Sequence, residues 1–303
     1  MKSTVFGASG LLGNALIKTS PFLVYEHTRK EADLSLTVPF SKYNDIWINA
    51  AARVGGVKGN TDFIGDFYKD NINIANNVLE GARLSNVKKL ISILSTCIYP
   101  DSQYVKYPIT ESQLHNGPPH QSNYGYAYAK RMLDVGSRVY RQQWGCNFIT
   151  VVPNNLYGPH DNYNLNNGHV IPSLIRKFYE AHLNDTDVII WGSGNALREF
   201  TFSEDAAEII WWCSENYNEP DPINIGNTEE VSIGDIAREI GKIIGFKNQI
   251  KFDKSKPEGQ FRKPTSNKKL INLGFEAKYT PLVVGLESSI DFFINSYPNA
   301  RGL

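Results

Sequence analysis

The chain predicts an α/β fold, a doubly wound parallel sheet followed by a smaller mixed α/β portion, and three observations predict it. Short β-branched or apolar runs alternate with longer amphipathic stretches through the first half, and strands separated by helices imply right-handed crossovers and a sheet covered on both faces. A glycine-rich turn separates the first strand from the first helix. Beyond residue 155 the alternation gives way to Gly158-Pro159-His160-Asp161-Asn162 and Asn166-Asn167-Gly168, turn chemistry that marks a change of architecture.

The strand-like runs are Ser3 to Phe6, Phe22 to Tyr25, Ile46 to Asn49, Lys89 to Leu94 and Phe148 to Val152. Two helices are long, from about Asp62 to Leu84 and from about Ser122 to Trp144. On the second, Ala129, Met132, Leu133 and Gly136 recur at three-to-four spacing, an apolar face wide enough for a second surface. The expected division is 1–155 for dinucleotide binding, with later segments returning to it, and 156–303 mainly for substrate. The second portion holds a strand from Asp187 to Trp191, a turn at Gly192-Ser193-Gly194-Asn195, a helix from Ser203 to about Tyr217 and another opening at Ser232. Ser232 precedes an acidic residue, Asp235, by three positions, which makes it an N-cap. The polar stretch 254–269, with five lysines and an arginine, reads equally as a solvated loop or a substrate-facing one.

Composition excludes several classes. Hydrophobic residues make up 41% and charged residues 20%, ordinary for a globular chain. Thirty-one basic residues balance 31 acidic ones, so no excess charge exists to neutralise a nucleic acid or an anionic membrane. No apolar run reaches the roughly 18 residues of a membrane span, and the N-terminus enters a strand directly, so a cytoplasmic location is expected. Cys97, Cys146 and Cys213 are widely spaced and form no Cys-x-x-Cys, which argues against a disulfide framework and against a zinc site. Cys146 and Cys213 are expected to be packing residues.

Gly7-Ala8-Ser9-Gly10-Leu11-Leu12-Gly13 gives the first turn its chemistry. Glycines at this spacing between a strand and a helix permit a tight turn and a close backbone approach to a pyrophosphate, and the helix N-terminus adds unpaired N–H donors. The turn therefore predicts a Rossmann-type dinucleotide site. Glu26 near the end of the second strand would hold an adenosine ribose, whereas Arg29 would neutralise the 2′-phosphate of NADP. The spacing leaves both open, and His27 between them reads as a surface residue.

Tyr126 and Lys130 lie four apart on the second long helix and share a face. An ammonium beside a phenol would lower the phenol pKa toward the range of a working proton donor. With 16 tyrosines in the chain, about one such pair arises by chance, so its meaning comes from context. That context is the dinucleotide turn together with Ser95, at the carboxyl end of the fourth strand where open α/β sheets bind ligands.

Taken together these residues resemble the extended short-chain dehydrogenase/reductases, and within them the GDP-4-keto-6-deoxymannose epimerase-reductases. The resemblance runs almost the full length through Ala51-Ala52-Arg53-Val54-Gly55-Gly56, Ser95-Thr96-Cys97-Ile98-Tyr99-Pro100, Asn155-Leu156-Tyr157-Gly158-Pro159-His160-Asp161-Asn162, Gly168-His169-Val170-Ile171-Pro172, Trp191-Gly192-Ser193-Gly194 and Arg198-Glu199-Phe200. It implies an NADPH-dependent homodimer joined through the two long helices, converting GDP-4-keto-6-deoxy-D-mannose to GDP-L-fucose. It further implies Cys97 as base and His169 as acid for epimerisation at C3 and C5, with Ser95, Tyr126 and Lys130 serving the C4 reduction. By resemblance Leu94, Lys130, Pro153, Asn155, Leu156 and His169 join the glycine turn and Arg29 around NADPH. Lys177, Trp191, Arg198 and Lys263 meet the nucleotide sugar, and no metal is implied. Asn154 stands where a threonine is common, and Glu258 where an aspartate is. The alternatives are a nucleotide-sugar 4-epimerase or 4,6-dehydratase, against which Thr96-Cys97 replaces the usual acid pair, and a non-catalytic dinucleotide sensor, against which the Tyr126–Lys130 pair is retained.

Overall fold

The structure is a computed structural model that describes residues 1–256 and 260–303; position 258, noted above for its unusual glutamate, lies outside the described residues. In chain order, β1 (Lys2–Phe6), α1 (Leu11–Lys18), β2 (Leu23–His27), β3 (Ile46–Asn49), α2 (Val57–Asp62), α3 (Ile64–Leu84), β4 (Lys89–Ile93), α4 (Tyr124–Trp144) and β5 (Phe148–Pro153) build the first half. β6 (Asn155–Tyr157), α5 (Val170–Asn184), β7 (Val188–Trp191), β8 (Leu197–Phe202), α6 (Ser203–Asn216), β9 (Ile223–Ile225), β10 (Glu230–Ser232), α7 (Ile233–Ile244), β11 (Ile250–Asp253), α8 (Lys268–Asn272) and α9 (Leu282–Ser296) follow.

Six parallel strands form one sheet in the order β2-β1-β3-β4-β5-β9. β3 and β4 are buried along their whole length, as strands with helices on both faces must be. One face packs on α1 and α6 through Leu16, Ile209 and Ile210; the other packs on α3 and α4 through Val78, Leu79 and Leu133. The strand order reverses beside β1, and the crevice beyond the carboxyl ends there is where such sheets take ligands.

The long helices form as their periodicity predicts, with one difference. Phe63 leaves helical geometry (φ −120°, ψ 36°), so the first is preceded by a separate short helix, α2. α4 stops at Gly145, whose φ of +66° is the left-handed cap that ends many helices. A Cβ at Gly136 would meet Leu79 of α3 at 2.6 Å, so this glycine sets how closely α3 and α4 approach. The outer surface of the pair exposes Ile64, Tyr68, Met132 and Val139.

A third core, around Phe178, Phe200, Ile236 and Phe293, joins α5, α7, α9 and β8. Two small sheets, β10-β8-β6 and β11-β7, edge it. Ser232 caps α7 as its spacing predicts, its Oγ accepting from the Asp235 N–H at 3.0 Å. Cys213 is buried in the first core and Cys146 packs against the core beneath α3 and α4; all three cysteines are free thiols.

Candidate active site

A cleft of about 1070 Å³ opens at the carboxyl ends of β1, β3 and β4 and extends to β7, β8 and the start of α5. At its floor, Gly7 follows β1 at φ +79°, and the N–H groups of Gly7 and Ala8 donate to the carbonyl of His27 at 3.0 and 3.3 Å. A Cβ at Gly7 would lie 2.8 Å from the Ala51 nitrogen, and one at Gly13 would lie 2.1 Å from the Gly7 oxygen, so the fold itself requires both glycines. At Gly10 the nearest atom is 3.3 Å away. That contact, with the Gly7 carbonyl oxygen, is tight but far less so than at Gly7 or Gly13, and α1 starts at Gly10 without a side-chain cap. A dinucleotide pyrophosphate fits this turn: the helix supplies N–H donors, and Gly10, with no Cβ, lets the backbone approach closely. Ser9, Gly10, Leu11, Leu12 and Gly13 line the cleft, whereas Ala8 is buried behind the turn.

β2 runs two residues further than its apolar run suggests, which corrects the reading of His27. Paired with Phe6 in the sheet, His27 is buried, its ring 4.9 Å from that of Phe6, and burial lowers its pKa. Glu26 is exposed and off the cleft wall, while Arg29 lies on the rim, held by Asp33 at 2.8 Å. The cation rather than the acid therefore stands at the cleft rim.

Beyond β4, Ser95 is extended and caps a short 3₁₀ turn, Thr96–Ile98, its Oγ accepting from the Cys97 N–H at 3.3 Å. Tyr126 and Lys130, one turn apart on α4, reach the same place. The Tyr126 hydroxyl hydrogen-bonds with Ser95, and the Lys130 ammonium donates to the Ile93 carbonyl at 2.9 Å. Both are almost fully buried. Here the structure corrects a second expectation: the Tyr126 pKa is raised, by burial first and by the Cys97 thiol second, and it is Lys130 whose pKa falls, to about 8. Desolvation penalises the charged form of each, and the lysine turns its proton to a backbone carbonyl. Tyr126 is thus kept as a neutral hydroxyl, the form that can donate a proton.

His169 forms the N-cap position of α5. The preceding loop is folded tightly on itself, Gly168 N–H donating to Asn164 at 2.7 Å, and is tied across to the β3–α2 segment by Gly56 N–H to Asn167 at 3.0 Å. The imidazole opens to the cleft yet is densely surrounded by protein, and this, with the Arg301 guanidinium, lowers its pKa.

Lys177, Trp191, Arg198 and Lys263 line the far end. Trp191 is half exposed rather than core, with the Lys177 ammonium 5.7 Å from its ring centre and that of Lys256 5.8 Å away. Lys256 has no motif to mark it, only its place in the lysine-rich stretch. Arg198 donates to the Leu197 and Phe261 carbonyls at 2.7 and 3.3 Å. Leu94, Pro153, Asn155 and Leu156 complete the lining between the two ends. Asn154 is buried beneath them, donating to the Asn227 carbonyl and accepting from the Thr201 hydroxyl, both at 2.6 Å. An asparagine here both donates and accepts, and so ties β5 to β8 and β9. One cleft thus joins a dinucleotide turn, a hydroxyl pair with a buried lysine, a thiol, an imidazole and a cationic, aromatic end.

The sequence pattern of the NAD dependent epimerase/dehydratase family matches residues 4–226. A GDP-L-fucose synthase of Dictyostelium discoideum is 47% identical over 256 residues, 84% of this chain and 79% of its own. One from Sinorhizobium fredii is 38% identical over 96% of this chain and 95% of its own. The crystal structure of a GDP-L-fucose synthetase from Naegleria fowleri bound to NADP superposes with a TM-score of 0.91 at 40% identity, covering 99% of this chain and 94% of that one. The chain belongs to the NAD dependent epimerase/dehydratase family, in the group that contains the GDP-L-fucose synthases.

Proposed function

We propose that this chain is an NADPH-dependent epimerase-reductase that converts GDP-4-keto-6-deoxy-D-mannose to GDP-L-fucose. The observation that carries the reading is the direct linkage of Ser95 to both the Tyr126 hydroxyl and the Cys97 backbone, which holds a carbonyl-polarising pair beside a thiol in one cleft. The C4 ketone acidifies the protons at C3 and C5. Cys97 removes each in turn, and Ser95 and Tyr126 hydrogen-bond the C4 oxygen and stabilise the enolate. His169 returns a proton to the opposite face. The bound dinucleotide, held by the glycine turn and Arg29, supplies hydride for C4, and Tyr126 gives its hydroxyl proton to the C4 oxygen. Lys130 holds its place between that tyrosine and the β4 carbonyl. Lys177, Arg198 and Lys263 neutralise the GDP diphosphate, and Trp191 covers the base or the sugar.

Residues 1–155, with later segments returning, serve the dinucleotide, and 156–303 serve mainly the substrate; β9 beside β5 supports the return. The apolar outer surface of α3 and α4 supports a homodimer joined there. Among the described residues no helix is long and apolar enough to cross a membrane, and a working thiol base suits a reducing, cytoplasmic setting.

Incubation with GDP-4-keto-6-deoxymannose and NADPH in deuterated water tests the reading. Stoichiometric cofactor oxidation with deuterium at C3 and C5 is expected. Oxidation without deuterium would leave a plain 4-ketoreductase, and no oxidation would reject reduction altogether.

A further inference from the structure

We propose that Glu199 is a positioning residue for the substrate end of the cleft: acting through Thr265, it holds Lys263 against the diphosphate of the bound nucleotide sugar. This rests on the function proposed above, and three sets of contacts carry it.

Glu199 lies on β8 directly after Arg198 and is buried, 3% exposed. Its Oε1 accepts from the Thr265 N–H at 2.8 Å and its Oε2 from the Thr265 hydroxyl at 2.6 Å. Both carboxylate oxygens thus accept from one residue two positions after Lys263, and Asn154 adds a further hydrogen bond. The opposite edge of the same segment is fastened to Ile109, whose N–H donates to the Pro264 carbonyl and whose carbonyl accepts from the Ser266 N–H, each at 2.8 Å. On the other side of Lys263, Arg262 is paired with Glu230 at 2.8 Å. Lys263 therefore stands between two fixed points, with a proline of restricted φ directly after it, and lines the cleft.

The backbone of Glu199 does a separate job. Its carbonyl accepts from the Asn155 amide at 2.8 Å, at the dinucleotide side of the cleft. Side-chain substitution leaves that carbonyl in place, so it touches substrate binding and spares cofactor binding.

Glu199 faces Glu230 of β10, Arg262 and Tyr279 electrostatically, and Asn154 and Thr265 by hydrogen bonds. Burial is the largest influence and moves its pKa up to about 7. Above that pH the carboxylate accepts both Thr265 donors; below it, protonation removes one acceptor and loosens the segment.

The test is calorimetric binding of GDP-mannose and, separately, of NADP to the full chain. Glu199→Ala is expected to weaken GDP-mannose binding roughly tenfold and leave NADP binding unchanged. In a Lys263→Ala background the further loss should vanish, because the effect runs through that lysine. Glu199→Gln, which like the protonated acid keeps one acceptor, should hold the parent's low-pH affinity at every pH. It should also flatten the fall in affinity that the parent shows as pH drops through about 7. Equal GDP-mannose affinity in parent and Glu199→Ala, full additivity with Lys263→Ala, parallel loss of NADP binding, or the same pH profile in parent and Glu199→Gln would each overturn the inference. Failure of the parent itself to bind GDP-mannose would instead overturn the proposed function, and this inference with it.

Discussion

The Lys130 ammonium donates to the carbonyl oxygen of Ile93 at 2.9 Å, which fastens α4 to the carboxyl end of β4, two residues before Ser95. The strand that carries the serine thereby also sets the height of Tyr126, one turn back along α4. Because burial moves Lys130 to about 8, its ammonium is present below that pH and lost as pH rises through it. Reduction of an already epimerised 4-ketone should fall along this alkaline limb, and Lys130→Met should remove the limb and lower kcat by about 10²-fold or more. A limb unchanged in Lys130→Met would assign it to another group.

Cys97→Ser keeps the size of the side chain and removes the thiol. Deuterium incorporation at C3 and C5 should fall by about 10²- to 10⁴-fold, while reduction of the epimerised ketone stays close to that of the parent. Equal loss of both half-reactions would make Cys97 a structural residue.

Gly10 and Gly13 differ in what confines them. A Cβ at Gly13 would lie 2.1 Å from the Gly7 oxygen, whereas at Gly10 the nearest atom is 3.3 Å away. Gly13→Ala is therefore expected to lower Tm strongly. Gly10→Ala should lower Tm less than Gly13→Ala but weaken NADP binding about tenfold or more. Thermal melts with and without NADP separate the two effects.

Asp161 is buried beside the cleft, and its Oδ2 has no hydrogen-bond partner among the described residues. Burial raises its pKa to about 7, and the Asn162 N–H and Arg301 offset only part of that. A carboxyl with a raised pKa binds a proton in the folded state that the unfolded chain has already lost, so its contribution to stability declines as pH rises from the ordinary carboxylate range to about 7. Asp161→Asn should hence gain stability relative to the parent across that window, reaching about 1–3 kcal/mol at pH 8. Urea unfolding at pH 5 and pH 8 measures the difference; an equal effect at both values would refute the assignment.

Met132 and Val139 on α4 are 40% and 47% exposed. If the outer surface of α3 and α4 joins two copies of the chain, Met132→Glu with Val139→Glu should give monomers in sedimentation velocity while leaving the fold intact by circular dichroism. A parent that already sediments as a monomer would reject the interface.

What the sequence determined by itself is local chemistry. Hydrophobic periodicity marked the two long helices and five of the six strands of the parallel sheet, all but β9, glycine spacing marked the turn after β1, and Ser232 with Asp235 marked a helix start, because each signal lies within a few residues of its effect. Motif resemblance then brought Ser95, Cys97, Tyr126, Lys130 and His169 under one function, and the fold lines one cleft with all five. Tertiary structure alone decided the environments. His27 is buried because β2 extends to pair it with Phe6, and Tyr126 is kept protonated because burial outweighs any nearby lysine. Trp191 is flanked by Lys256 from a segment more than sixty residues along the chain, and Glu199 holds Thr265 across 66 residues. Desolvation and buried hydrogen bonds are set by whatever the fold packs around a group, so they acquire values only once segments distant in the chain have come together.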